Sequence, residues 1–320
     1  CRLVHQVSTD LKCPPFFDSH VRAEPNRFVI DPKAMEVNGL SIERLSLDTV
    51  RTWEQMTLKL SEWLNDLRVA TAAPRFVFGY EEVSPEEKTE RVGEVFSSVA
   101  KKYDVMNDAM SAGMHRLWKD KFVRRVKPQP HEQILDMAGG TGDIAFRMAA
   151  KGAQITVSDI NQDMLDVGIE RALQKIQEGS RGLDSLVWSR QNAEELTFPS
   201  RFFDAYTIAF GIRNVTRIDL ALAEAYRVLK HGGRFYCLEF STTEWPGFKE
   251  VYDFYSHQLV PRIGQAIAGD ADSYRYLIES IRRFPPMPEF EAMIRAAGFV
   301  NTRVEPILGG LVAIHSGWKI

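Results

Sequence analysis

From residue 133 onward the chain alternates between two hydrophobic periods. Short apolar runs of strand length are separated by stretches whose apolar residues recur every three or four places, as on one face of a helix. The runs predict strands at 133–138, 154–158, 185–189, 204–210 and 234–240. The stretches between predict helices at about 143–151, 163–178 and 217–229, with Gly232 and Gly233 ending the last. Strands alternating with helices indicate a doubly wound α/β fold built on a parallel sheet. Two more strand-like runs, 301–307 and 311–315, are joined through Gly309 and Gly310. They predict a hairpin that adds antiparallel strands to that sheet.

Upstream of the alternation the pattern is helical. Ser84 suits an N-cap, Pro85 the first turn, and Glu87 the third position of a capping box. Val92, Val95, Phe96, Val99 and Tyr103 follow at helical spacing. Leu117, Trp118, Phe122, Val123 and Val126 repeat the pattern before Pro128. These two helices form a predicted lid over 84–127. Between the core at 133–240 and the terminal strands at 301–320 lies an excursion at 244–295. In it Phe248, Val251, Tyr252, Tyr255, Leu259 and Ile263 make an apolar stripe. The stripe suits a groove for an apolar tail, a dimer interface or simple core.

Residues 1–75 read as a separate extension. Pro14, Pro15, Pro25 and Pro32 break its first part into loops and short extended pieces. Val50, Trp53, Thr57, Leu60, Leu64 and Leu67 then predict an amphipathic helix near 48–69, docked on its own domain, on a partner or on a membrane surface. A linker-like 71–74 leads to the main domain at 76–320.

Composition narrows the classes. The chain has 320 residues, 44% of them hydrophobic and 26% charged, an ordinary globular balance. A net charge of -3 gives no argument for a nucleic-acid partner. No apolar run approaches the roughly 20 residues of a spanning helix, so membrane contact is expected to be peripheral. Cys1, Cys13 and Cys237 show no metal-ligand spacing, and no metal is expected; their number fits a reducing compartment. The first residue is not Met, as at a processed or trimmed end, and the opening residues carry Asp10, Asp18 and Glu24, unlike an acid-poor transit peptide.

The candidate chemistry centres on 133–143 (QILDMAGGTGD). A buried strand carrying Asp136 runs into a turn of Gly139, Gly140, Thr141 and Gly142, and Asp143 opens a helix. Such a turn lets a ligand approach bare backbone at a helix N-terminus. Asp136, Asp143 and, after the next strand, Asp159 bring three carboxylates toward one pocket. That ring repels a pyrophosphate and welcomes a sulfonium bearing an ammonium group. Asp159 lies 17 positions after Gly142, where a carboxylate accepts ribose hydroxyls; its alternative role is a helix cap. Asn192 and Ala193 follow the third strand and either read an adenine edge or form an ordinary loop. Arg213 and Asn214 sit at the carboxyl end of the fourth strand, where ligands bind in open α/β sheets.

Several long motifs occur in one order: 99–108 (VAKKYDVMND), 133–143, 210–216 (FGIRNVT), 226–233 (YRVLKHGG), 238–241 (LEFS) and 270–281 (ADSYRYLIESI after Asp270). Together they resemble the ubiquinone/menaquinone-biosynthesis C-methyltransferase family over about residues 78–320, with 78–120 most similar to its mitochondrial branch. The resemblance implies a class I, Rossmann-like methyltransferase fold, a mostly parallel seven-stranded sheet with the antiparallel hairpin at its C-terminal end, here with a helical N-terminal extension. It implies S-adenosylmethionine as donor, with S-adenosylhomocysteine as product, and a polyprenylated methoxy-benzoquinol as acceptor, or a demethylmenaquinol. The family's cofactor positions fall on Thr141, Asp159, Asn192 and Ala193. Ala209 stands where the family carries serine, and Gly269 where it carries asparagine. A peripheral place on the matrix side of the mitochondrial inner membrane is implied too, as are other ubiquinone-biosynthesis enzymes as partners, and a homodimer.

Methyl transfer to a ring carbon needs the donor held, the carbon aligned and a proton removed as charge enters the ring. Asp136 and Asp159 meet the first need. Arg213 is expected to stabilise a phenolate or orient a water, Asn214 to fix that water, and Tyr103 to wall the ring. His115 and His257 are rival bases. Two other classes compete. A nicotinamide oxidoreductase wants a third glycine where Asp143, Ile144 and Ala145 follow Gly142, and a scaffold subunit of a biosynthetic complex would owe more to the helix near 48–69.

Overall fold

The computed structural model describes residues 21–24, 27–30, 76–78, 81–100, 107–108, 111, 113–241 and 271–320. The chain divides into two compact units, 1–75 and 76–320. In the first, β1 (Val21–Glu24) pairs antiparallel with β2 (Arg27–Ile30). The predicted helix near 48–69, Tyr103, His257 and the apolar stripe of 248–263 lie outside the described residues.

The second unit opens with a small hairpin, β3 (Phe76–Phe78) and β4 (Glu81–Val83), followed by α1 (Pro85–Val99) and α2 (His115–Val126). Ser84 caps α1, its hydroxyl accepting from the Glu87 N–H at 3.1 Å. The predicted capping box is half made, because the Glu87 carboxylate accepts from Arg91 instead, at 2.6 Å. The alternation then runs β5 (Gln133–Met137), α3 (Asp143–Ala149), β6 (Gln154–Asp159), α4 (Gln162–Gln177), β7 (Val187–Arg190), β8 (Phe203–Ala209), α5 (Ile218–Val228) and β9 (Leu229–Phe240). Helices α6 (Ala271–Arg283) and α7 (Met287–Ala296) lead to β10 (Val300–Ile307) and β11 (Val312–Trp318).

One seven-stranded sheet results, in the order β10-β11-β9-β8-β5-β6-β7. The five strands from β9 to β7 are parallel, while β11 joins β9, and β10 joins β11, antiparallel. The pleat explains the unbroken apolar run of β5. Ile134 packs with Phe122, Val126 and Phe146 on one face, and Leu135 and Met137 pack with Leu222, Ala225 and Phe290 on the other. Asp136 shares the parity of Ile134 and so turns toward the α2–α3 side.

One predicted boundary is corrected. Gly232 and Gly233 do not end a helix: α5 stops at Val228, and both glycines lie within β9. Their backbone is needed there, since the Gly232 N–H donates to the Lys319 carbonyl at 2.7 Å and the Lys319 N–H to that of Gly233 at 2.9 Å. Gly232 has φ +80°, and a Cβ on Gly233 would lie 2.7 Å from the Lys230 carbonyl oxygen. The glycines permit a kinked strand end rather than a helix stop.

Candidate active site

The carboxyl ends of β5, β6 and β8 meet at a cleft of about 1060 Å3, its open mouth included. Its floor is the glycine turn. A Cβ on Gly139 would stand 2.6 Å from Val157 Cγ1 and 3.2 Å from Asp136 Oδ2, and Gly140 and Gly142 take φ of +51° and +83°. Side chains there would fill the cradle or strain it. Gly142 does not border the cleft; it caps α3, and Trp188 lies against it and against Gly168. Asp136, Gly139, Gly140, Thr141, Asp159, Asn192, Ala193 and Asn214 all border the cleft.

The two strand-end carboxylates are held differently. Asp136 Oδ1 accepts from the Thr207 hydroxyl at 2.7 Å, whereas its buried Oδ2 has no hydrogen-bond partner among the described residues. Burial pushes this carboxyl up to about 7; the Thr207 hydroxyl and the Ala145 N–H oppose the push, and the nearby Asp143 and Asp159 add to it. Asp159 accepts from the Gly140 N–H at 3.0 Å and the Asn161 N–H at 2.9 Å, tying the end of β6 to the glycine turn. Burial lifts it to about 6 against those bonds. Asp159 is not the cap of α4. Asn161 fills that place, its Oδ1 accepting from the Met164 N–H at 3.1 Å.

All three carboxylates of the expected ring border the cleft, but Asp143 is paired. Lys119 of α2, 4% exposed, donates to Asp143 Oδ2 at 2.8 Å, and Arg147 lies 3.3 Å from the other oxygen. Burial works to raise the Asp143 carboxyl, but Lys119, Arg147 and Arg171 outweigh it and hold it below the ordinary carboxylate value. Asp136 and Asp159 are therefore the two acidic groups beside the turn that have no ion pair among the described residues. An orphaned carboxylate oxygen next to a glycine cradle fits a cationic ligand whose backbone-hugging part needs room.

The wall at the end of β8 is built from strain. Phe210 takes φ +56° and Ala138, at the end of neighbouring β5, φ +51°. Gly211 fits between them because a Cβ there would lie 2.4 Å from that of Ala138. Arg213 does not border the cleft. Its guanidinium donates to Glu239 Oε1 and to the Phe210 carbonyl, each at 2.7 Å, and to Ser280 Oγ at 3.3 Å. It also lies over the Phe240 ring, 5.6 Å from its centroid. Its charge is spent on Glu239. His115 is likewise elsewhere, 2.9 Å from Asp108 and away from the cleft.

Helix α1 roofs the cleft with Thr89, Val92, Gly93 and Phe96. It is fastened at both ends of that face. Lys88 Nζ donates to the Val215 carbonyl at 3.1 Å and the Thr89 and Thr216 hydroxyls meet at 3.1 Å. Asn161 Nδ2 donates to the Gly93 carbonyl and to Ser97 Oγ, both at 2.9 Å. Sequence reasoning missed Lys88, Lys119 and Asn161; only Asn161 had a local signal, an asparagine just before a helix.

The raised carboxyls set a pH dependence. A cation favours the ionised forms, so binding releases protons that the free protein holds. Affinity for a sulfonium ligand is expected to rise as pH climbs through the window from about 6 to about 7 and to level off above it. The slope reaches about tenfold per pH unit for each proton released. Calorimetric titration on either side of the window checks this, and a flat profile refutes it. For folding the sign is opposite. These two groups favour the folded state fully below the unfolded value of 3.8 and lose that contribution as pH rises through about 6 and about 7.

Glycine turn, strand-end carboxylates and sheet order define a class I methyltransferase that uses S-adenosylmethionine. A similar fold is solved for a protein of Thermotoga maritima described as a SAM-dependent methyltransferase and possible histamine N-methyltransferase: TM-score 0.52 at 17% identity, covering 72% of this chain and 100% of that one. More specifically, residues 84–319 match the ubiE/COQ5 methyltransferase family, and the chain belongs to it. It is 61% identical over 243 residues to the ubiquinone/menaquinone biosynthesis C-methyltransferase UbiE of Zymomonas mobilis, covering 76% of this chain and 98% of the relative. It is 51% identical over 261 residues to the mitochondrial 2-methoxy-6-polyprenyl-1,4-benzoquinol methylase of Arabidopsis thaliana, covering 76% and 90%.

Proposed function

We propose that the chain transfers a methyl group from S-adenosylmethionine to a ring carbon of a polyprenylated methoxy-benzoquinol in ubiquinone biosynthesis. Within the site, the observation that carries this is the buried Oδ2 of Asp136 beside Gly139, which has no hydrogen-bond partner among the described residues. The family and the names of its relatives supply the acceptor class.

When bound, the donor supplies an electrophilic methyl on a sulfonium. Asp136 meets the donor's positive end, Asp159 its ribose, and Asn192 and Ala193 its adenine edge. Thr141 and the glycine turn offer backbone at close approach. Val92, Phe96 and Met164 line the cleft with apolar surface and keep water from the methyl path. Asn214, bordering the cleft, is placed to hydrogen-bond a ring oxygen as charge enters the ring. Arg213 serves by fixing the carbonyl of the strained Phe210 and so the wall that carries Asn214. Among the described residues no helix is long and apolar enough to cross a membrane. The proposal includes a peripheral position on the matrix side of the mitochondrial inner membrane, supported by the mitochondrial relative's name, with other ubiquinone-biosynthesis enzymes or a second copy as partners.

The test is a mass-spectrometric assay with short-chain methoxy-benzoquinol and demethylmenaquinol analogues. A gain of one methylene mass on the benzoquinol, dependent on S-adenosylmethionine, is expected. No gain on either ring, or binding of NADH in preference to the sulfonium donor, would overturn the reading.

A further inference from the structure

We infer that Tyr276 is a positioning residue for the transfer, acting through Asn214; the inference rests on the methyl-transfer reading above. Tyr276 lies on α6 and does not border the cleft. It is 4% exposed, and its hydroxyl donates to Asn214 Oδ1 at 3.1 Å. The ring itself is fixed, stacked on Phe78 with centroids 4.3 Å apart and planes 12° from parallel.

The consequence lies in the amide. An asparagine side chain has one acceptor end and one donor end. With Oδ1 occupied by Tyr276, the Nδ2 hydrogens are the end left for the cleft. Without the tyrosine hydroxyl, Asn214 can rotate among its staggered wells and present either end. Burial raises the Tyr276 hydroxyl above its ordinary value, so it stays a donor through the working range of pH. The same helix face grips the neighbouring residue as well. Ser280, one turn along α6, accepts from Arg213 Nε at 3.3 Å while donating to the Leu277 carbonyl at 2.8 Å. Two consecutive residues of the 212–214 turn are thus set by two residues of α6.

Tyr276→Phe keeps the ring and its stack and removes only the hydroxyl. It is expected to lower kcat by about tenfold, with KM for the donor unchanged and thermal stability lowered by no more than the loss of one hydrogen bond. Asn214→Ala should lower kcat at least as far, and the double variant should be no worse than Asn214→Ala alone. Losses that multiply in the double variant, or an unaltered kcat in Tyr276→Phe, overturn the inference. If Tyr276→Phe does not fold, Asn214→Asp tests the same bond from the other side. The carboxylate still accepts from Tyr276 but offers the cleft no donor, so kcat falls with stability kept; an unchanged kcat again overturns it. A readout independent of activity is the Asn214 side-chain amide pair in the nitrogen–proton spectrum of the full chain. Tyr276→Phe should shift that pair. An unmoved pair refutes the contact, whereas failure of the unaltered chain to methylate any quinol refutes the reading on which the inference rests.

Discussion

Glu239→Ala is expected to destabilise the fold by about 3–5 kcal/mol, because it strands a buried guanidinium. Glu239 is fully buried and the Arg213 side chain is 4% exposed. The carboxylate accepts from Arg213 Nη1 and from the Phe240 N–H at 2.9 Å, and Ala at this position takes the counter-charge from the first and the acceptor from the second. The Phe210 carbonyl and Ser280 remain for Arg213, but neither carries charge to balance it. Glu239→Gln keeps an acceptor oxygen and should recover part of the loss. Denaturant unfolding of the three chains ranks them: unaltered, then Gln, then Ala. Equal stability of Ala and the unaltered chain would show that the pair contributes nothing to the fold.

Asp159→Ala is expected to weaken donor binding by about 100-fold, the loss of charge-assisted hydrogen bonds to a ligand. It also strips the Gly140 and Asn161 N–H groups of their acceptor, loosening the turn itself. Asp159→Asn, which keeps one acceptor oxygen, should fall between. A comparison of ligands separates the two carboxylates. If Asp159 holds the ribose, its replacement weakens S-adenosylmethionine and the product S-adenosylhomocysteine, which lacks the sulfonium charge, alike. Asp136→Asn should weaken the sulfonium donor more than the product, since only the donor carries the sulfur-centred charge. Calorimetric titration of both ligands reads the difference, and identical ratios for the two variants would refute these roles.

What the chain discloses in one dimension follows from range. The β5 strand, its glycine turn and the helix behind it are contiguous, and the periods of apolar residues on either side place β6, β8 and β11 within a few residues. Contacts between distant segments leave no such trace. Lys119 meets Asp143 from 24 positions away, and Lys88 meets Val215 from 127. Hence the acidic ring looked barer than it is, and the roof of α1 could be placed upstream but not fastened. Arg213 misled for the same reason. A strand-end arginine suggests a ligand until its carboxylate partner, 26 residues on, takes its charge. Gly232 and Gly233 carried the usual signal of a helix end, yet the pairing that claims them comes from Lys319.

The left-handed backbone at Ala138 and Phe210 costs about 1–2 kcal/mol at each position, and glycine would relieve it. A laboratory search for heat-resistant variants would thus reach these two sites early. Glycine there would also free the main chain and remove the phenyl ring or methyl group that shapes the wall. Thermal hardiness and discrimination between ligands therefore pull in opposite directions at this junction, and gains in the first should be screened for losses in the second.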